Sequence, residues 1–231
     1  MKLTKLPIII YNKTLALLPS KVTNKLVCSM NNLWTGYFQR AEPAMDEQWE
    51  KVIWPKIEKF DFDVTLDLAP GAGRNIRKLS TLAKTIYAVD YNDYALELCK
   101  KNIGEKLNGC EVIYCKNDGS SLGDISSNAV TAVYCWDSAV HFDKSILRDY
   151  IREFERILKP GAFGFVHHSN LGNLAKGDIR KNEGWRSNMT KQLFKEYCDE
   201  VGLELISQDD LQWGKVTDCI SVFKKVVNRV I

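Results

Sequence analysis

The chain has 231 residues, of which 45% are hydrophobic and 26% are charged, and its formal net charge is +3. These proportions exclude disordered, collagen-like and coiled-coil proteins, and the length suffices for a substantial hydrophobic core. The 32 basic residues are nearly balanced by 29 acidic ones, so the chain has no strong positive charge that would favour binding to nucleic acid.

The seven cysteines form no C-x-x-C pair and no spacing typical of a zinc site. Reduced thiols in a cytoplasmic protein are the simpler interpretation. The apolar pieces between Leu3 and Leu18 are interrupted by Tyr11, Asn12 and Lys13, and no small-residue cleavage pattern follows. We therefore expect neither a secretory signal nor a membrane span.

Short apolar runs alternate with amphipathic helical patterns, which predicts an α/β protein with a mostly parallel sheet and helices on both faces. Seven strands are predicted, at residues 63–69, 85–89, 111–115, 129–135, 162–166, 203–207 and 218–223. Helices are predicted at 75–82, 93–107, 144–158 (ended by Pro160-Gly161) and from an N-cap at Thr190 to a stop at Gly202.

Residues 1–62 differ in character from the rest of the chain and are predicted to form a helical cap over a domain of residues 63–231. A helix is expected to open near Pro43 and to be broken or kinked at Pro55. Its apolar side is expected to carry Met45, Trp49, Val52 and Ile53.

The most informative segment is Leu66–Asn75, LDLAPGAGRN, in which a strand runs into a turn of small residues before a helix. Gly71 and Gly73 present no Cβ, so a ligand is able to approach this backbone closely. A dinucleotide-binding turn, G-x-G-x-x-G, needs a third glycine where this chain has Ile76. The alternative is a cofactor without phosphates whose ammonium group Asp67 orients, directly or through water.

With this turn, the sequence resembles the class I S-adenosylmethionine-dependent methyltransferases, and the resemblance covers about residues 35–225. The turn is similar to the D-x-G-x-G-x-G segment of that family, although Ala69 replaces the first glycine and Arg74 the last. The resemblance implies S-adenosylmethionine as the cofactor. It also implies a Rossmann-like, seven-stranded sheet with an N-terminal helical cap.

The resemblance further implies which residues bind the cofactor. Asp90 matches the acidic residue that binds the ribose hydroxyls, since a carboxylate accepts both hydroxyl protons. Tyr91 is expected beside the adenine, and Asp118 is expected to accept a hydrogen bond from its amino group. Tyr37 and Arg40 are candidate cofactor contacts before the first helix, although ordinary helix packing explains their spacing equally well. The full set is Tyr37, Arg40, Asp67, Ala69, Gly71, Gly73, Asp90, Tyr91, Asn117, Asp118, Gly119 and Trp136.

All three histidines of the chain, His141, His167 and His168, follow the predicted fourth and fifth strands. Ligands of open α/β sheets bind at these strand ends, and a neutral imidazole is suited to deprotonate an acceptor hydroxyl. We therefore predict them as catalytic candidates, the first two being favoured, with a structural role as the alternative for each. The residues predicted to bind substrate are Asp137, Asn170, Trp185 and Arg186.

A metal site formed by Asp137, His141, His167 and Asn170 is disfavoured, because it lacks the carboxylate-rich ligand set of the metal-dependent members of the family. We therefore predict no metal.

The leading functional prediction is O-methylation of a small polar metabolite or a sugar or glycan unit. The runner-up, a nucleic-acid methyltransferase, lacks its usual motifs: Cys135–Ser138 replaces Asp/Asn-Pro-Pro-Tyr, and no cysteine follows a proline. Two further alternatives are a cofactor-binding module without catalysis and, least favoured, a nicotinamide oxidoreductase.

Overall fold

The computed structural model describes residues 42–176 and 178–227, so the predicted contacts of Tyr37 and Arg40 lie outside the described residues. The strands are β1 (Val64–Leu68), β2 (Thr85–Asp90), β3 (Lys106–Leu107), β4 (Cys110–Lys116), β5 (Val130–Cys135), β6 (Leu158–Ser169), β7 (Leu203–Trp213) and β8 (Val216–Lys225). The helices are α1 (Met45–Gln48), α2 (Trp54–Ile57), α3 (Arg74–Leu79), α4 (Asp93–Ile103), α5 (Lys144–Ile157) and α6 (Lys191–Val201).

The strands form one sheet in the order β3-β4-β2-β1-β5-β6-β8-β7. Five adjacent strands, β4, β2, β1, β5 and β6, run parallel to one another. Strand β8 is antiparallel to both β6 and β7. The chain builds outward from β1 through β2 to β4 and then crosses to β5 on the other side. A crevice therefore opens at the carboxyl ends of β1 and β5, as in other doubly wound sheets, and the Rossmann-like α/β class is confirmed.

The sheet has eight strands, one more than predicted. The additional strand, β3, forms a short hairpin with β4 through Asn108 and Gly109, which both have positive φ (53° and 83°). This Asn-Gly pair is typical of a tight hairpin turn. The predicted helix over 93–107 accordingly ends early, at Ile103, where Gly104 turns the chain with φ 80°.

Strand β6 is longer than predicted, because it begins at Leu158 and runs to Ser169. Pro160 and Gly161 lie within it, where the register with β5 shifts, so the bulge tolerates the missing N–H of proline. His167 and His168 consequently lie inside the strand and not after it. Successive residues of a strand point to opposite faces, so the two histidines face different layers.

Each face of the sheet carries its own hydrophobic core. Helices α5 and α6 cover one face, with Phe154 and Phe194 packed against Phe223. Helices α3 and α4 cover the other face, together with the described part of the predicted cap, whose Met45 and Ile53 are buried.

Pro55 does not end this helical segment. A π-helical stretch, Trp49–Ile53, leads directly into α2, and the proline lies in the first turn of α2.

No helix within residues 42–176 and 178–227 combines the length and the apolar character needed to cross a membrane. The six cysteines in these ranges are free thiols.

Gly164 gives a test of this packing, because a Cβ at this position would lie 2.1 Å from Cζ of the buried Phe223 ring. We expect Gly164→Ala to lower the free energy of unfolding by about 1–3 kcal/mol through overpacking, measured by urea denaturation. The control is Gly123→Ala, where a Cβ meets nothing within 4 Å and the change should stay within about 0.5 kcal/mol. Equal stabilities of the two variants would contradict the close packing of β6 on Phe223.

Candidate active site

The turn after β1 is built by backbone conformation. Ala69 and Gly71 both have φ 58°, and the Ala69 N–H donates to the Val89 carbonyl at 2.7 Å. Gly73, with φ 94°, precedes α3, and a Cβ there would lie 2.5 Å from Cγ1 of Ile103. The missing Cβ of Gly73 thus lets α3 approach α4, and the predicted approach of a ligand to this glycine stays a prediction.

Asp67 is the least satisfied polar residue of this turn. Its side chain is fully buried at the end of β1, and neither carboxyl oxygen has a hydrogen-bond partner among the described residues. Burial raises the pKa of Asp67 to about 8, against the opposing effect of Arg74. On the neighbouring strand, burial raises the pKa of Asp90 to about 7, although the backbone N–H groups of Asn92 and Tyr91 donate to it.

The loop after β4 is held in place by its own hydrogen bonds. The Asn117 side chain accepts from the Gly119 N–H and donates to the Tyr150 hydroxyl of α5 at 2.9 Å. Backbone N–H groups of Ser121 and Ser120 donate to Asp118 and lower its pKa to about 2. Asp118 is exposed, so the structure gives it a loop-ordering role that the sequence did not indicate.

Two contacts join the loops on either side of the crevice. Arg74 donates from Nη2 to Oδ2 of Asp137 at 2.7 Å, with side chains only 10% and 7% exposed. The Ser138 hydroxyl donates to the Ala69 carbonyl at 3.1 Å. The Arg74–Asp137 pair was not predicted from the sequence. The observation that could have indicated it is that Arg74 occupies the position of the last glycine in the family's turn.

Trp136 connects the crevice to the helices on the second face. Its indole Nε1 donates to Oε1 of Gln48 at the end of α1, at 3.1 Å. Its ring lies 4.5 Å from the His167 ring, centroid to centroid. Trp136 is fully buried and packs with Phe165 and His167 on this face of the sheet.

His141 follows β5 in a short 3-10 turn, Ala139–His141, and is partly buried. Its Nδ1 lies 2.9 Å from the Trp185 carbonyl oxygen. A carbonyl only accepts hydrogen bonds, so Nδ1 carries the proton and Nε2 carries the lone pair. Burial lowers the pKa of His141 below its usual value, which favours the neutral imidazole.

His167 belongs to a buried cluster with Asp218 of β8 and Arg186 of the segment before α6. Its Nε2 lies 3.2 Å from Oδ2 of Asp218, and its Nδ1 is buried without a partner among the described residues. Arg186 donates from Nε and Nη2 to the same carboxylate at 2.5–3.1 Å. Burial works to raise the pKa of Asp218, but the hydrogen bonds from His167 and Arg186 lower it overall.

His168 is not brought to this cluster, because it faces the other side of β6. Its ring stacks on Phe194 at 4.6 Å, and both ring nitrogens are engaged, with the Ser169 carbonyl and the Ser221 hydroxyl, each at 2.8 Å. Burial lowers the pKa of His168 to about 4. These contacts correspond to the structural alternative for this histidine.

Asn170 and Trp185 also have structural contacts. The Asn170 side chain accepts from the Lys191 N–H at the start of α6, and the partly buried Trp185 packs against Ile179. The described residues of the segment 171–189 contain three short 3-10 helices. Residues 42–176 and 178–227 hold no group of three His, Cys, Asp or Glu side chains arranged for a metal ion.

Comparison with known proteins finds this domain and this fold in other proteins. Residues 66–166 match a family model described as a methyltransferase domain, and no curated protein sequence matches the chain. The solved [4+2]-cyclase SpnF is similar, with a TM-score of 0.62 and 16% identity over 82% of this chain and 83% of the cyclase.

Two solved methyltransferases share the fold. A SAM-dependent methyltransferase from Methanosarcina mazei has a TM-score of 0.60 and 14% identity, over 77% of this chain and 98% of its own. The geranyl diphosphate C-methyltransferase of Streptomyces coelicolor, solved with Mg²⁺, geranyl diphosphate and S-adenosyl-L-homocysteine, has a TM-score of 0.63 and 13% identity, over 78% and 81%. Residues 66–166 thus match a methyltransferase domain, and the chain has the fold of S-adenosylmethionine-dependent methyltransferases.

Proposed function

We propose that the chain transfers the methyl group of S-adenosylmethionine to a hydroxyl oxygen of a small polar metabolite or sugar unit, with His141 as the general base. The observation that carries this proposal is the hydrogen bond between His141 Nδ1 and the Trp185 carbonyl. It fixes the tautomer whose Nε2 accepts a proton, at the strand ends where ligands of this fold class bind.

The residues of the crevice fit the cofactor. A buried carboxyl group without a hydrogen bond is costly, and the ammonium group of the cofactor supplies both the charge and the donors that Asp67 lacks. Asp90, at the end of the next strand, is suited to accept from the ribose hydroxyls. The ordered loop of Asn117, Asp118 and Gly119, with Tyr91, is the proposed adenine side.

The proposed mechanism divides the work between positioning and proton transfer. When bound, the cofactor supplies an electrophilic methyl group on a sulfonium. His141 takes the hydroxyl proton on Nε2 while its Nδ1–H stays on the Trp185 carbonyl, so the ring does not turn during transfer. A positioned base of this kind contributes about 10²- to 10⁴-fold, whereas alignment of the reactants supplies about 7–11 kcal/mol.

The charges around His141 support an uncharged acceptor. Arg74 is paired with Asp137, and Arg186 is paired with Asp218. Each guanidinium is thus matched by a carboxylate, which is a poor arrangement for a phosphorylated acceptor. The same matching, with the near-neutral composition, argues against a nucleic-acid acceptor.

A cofactor-binding module without methyl transfer is the second candidate. The fold of this chain is also that of a [4+2]-cyclase, so the proposed activity depends on the site residues and not on the fold alone. Cofactor binding by itself does not separate the two candidates, but loss of turnover on changing His141 does.

The first prediction concerns Asp67. Its pKa is raised to about 8 in the folded, cofactor-free protein, whereas an unfolded Asp titrates near pH 4. Between these values the folded state holds one more proton, so stability falls as pH rises, by up to about 1.4 kcal/mol per pH unit for this group. Asp67→Asn should remove this contribution to the slope, leaving that of Asp90, whose pKa is raised to about 7, and should weaken cofactor binding.

Urea unfolding at pH 5, 6, 7 and 8, with titration calorimetry of S-adenosylmethionine at pH 8, measures both effects. The control is Asp124→Asn, which changes an exposed carboxylate and should leave slope and affinity as in the wild type. The same pH slope in Asp67→Asn as in the wild type would show that Asp67 does not titrate in this range.

The second prediction concerns His141. We expect His141→Gln to bind S-adenosylmethionine and S-adenosylhomocysteine as the wild type does in calorimetry, and to lose about 10²- to 10⁴-fold in methyl transfer. Turnover is measured as S-adenosylhomocysteine release with panels of sugars, phosphorylated sugars and small phenols. Asp90→Ala should abolish cofactor binding and serves as the control.

Full turnover in His141→Gln would reject this base. Absence of cofactor binding by the wild type, with and without the acceptor panel, would reject the methyltransferase proposal.

A further inference from the structure

The structure joins His141 to a buried ion pair that the proposed chemistry does not itself use. We propose that Arg186 and Asp218 are positioning residues, which hold the Trp185 carbonyl in place and thereby set the tautomer of His141. This inference rests on the proposed role of His141 as the base. It concerns how that base is prepared before any acceptor arrives.

The Trp185 carbonyl is presented by a strained backbone. Trp185 has φ 57°, in the left-handed region, which is unfavourable for a residue with a Cβ. Strain of this kind persists only where the surroundings hold it. The hydrogen bond to His141, at 2.9 Å, therefore depends on what anchors residues 184–187.

Arg186 supplies the anchor on both sides of Trp185. Its Nη1 donates to the Gly184 carbonyl at 2.9 Å, and its Nε and Nη2 donate to Asp218. The guanidinium is a planar fork, so it makes both sets of contacts at once. Arg186 is only 3% exposed and Asp218 is fully buried, and separating a buried pair leaves an uncompensated charge that is strongly destabilising.

The other end of the anchor is fixed by the sheet. Asp218 lies opposite Ser169 in the β6–β8 ladder and accepts from His167 Nε2. The Ser187 N–H donates to the Val140 carbonyl at 2.9 Å, directly before His141. Residues 184–187 are thus attached both to β8, through Arg186, and to the turn that carries His141, through Ser187. These two attachments hold the Trp185 carbonyl in place.

The test uses the histidine content of the chain, which is only three residues. In the wild type without ligands, long-range ¹H–¹⁵N correlation of the imidazoles should show His141 as the Nδ1–H tautomer. Arg186→Lys keeps the charge but removes the fork, so the Trp185 backbone should relax. We expect His141 then to exchange between both tautomers, with the cofactor affinity measured by calorimetry unchanged.

The matched control is Arg180→Gln in the same segment, where Arg180 pairs with Asp178; its His141 tautomer should be that of the wild type. If Arg186→Lys does not fold, Gly184→Ala probes the same contact, because a Cβ there would lie 2.8 Å from Arg186 Nη1. It should likewise release His141 to both tautomers.

A His141 that stays in the Nδ1–H tautomer in the folded Arg186→Lys protein, or in Gly184→Ala when the lysine variant does not fold, would overturn the proposal. The readout needs neither acceptor nor turnover, so it separates this inference from the proposed function. Tautomer release in Arg186→Lys, combined with full turnover in His141→Gln, would leave the positioning contact established and reject His141 as the base.

Discussion

The position of β1 between β2 and β5 is the constraint on which the site depends. Parallel strands joined by right-handed crossovers can extend a sheet in only one direction at a time. The chain must therefore reverse at β1, and the loops after β1 and β5 separate around the point of reversal. The Arg74–Asp137 ion pair and the Ser138–Ala69 hydrogen bond join these loops across the gap.

Backbone strain is concentrated around this gap. Five residues other than glycine have positive φ in residues 42–176 and 178–227. Asn108 and Asn128 are of the type that tolerates this region in turns. The other three are Ala69, Asp137 and Trp185, and each contributes to the crevice or to the contact of His141. The fold thus holds unfavourable conformations where the proposed chemistry needs particular directions of backbone groups.

The parts of the fold that follow from local sequence were predictable. The buried strands appear as short apolar runs, and Thr190 caps α6 through the Leu193 N–H as expected. The ends of these strands also located Asp67 and Asp90, because a parallel sheet brings its carboxyl ends to one edge.

Features that depend on distant pairing were not predictable in this way. β6 extends beyond its apolar run because β8 pairs with it as far as Ser169, which moved His167 and His168 into the strand. Arg186 and Asp218 lie 32 positions apart, and no periodicity relates them. The contacts that distinguish the histidines from one another are of the same non-local kind.

The antiparallel direction of β8 has a consequence for how this enzyme can diversify. Strands β1, β5 and β6 reach this edge of the sheet with their last residues, but β8 reaches it with its first, and the turn at Gly214 and Lys215 lies at the same edge. This hairpin is separated from the crevice at β1 and β5 by β6. Changes of length or composition in its turn can therefore accumulate at this edge while the loops after β1 and β5 keep their geometry.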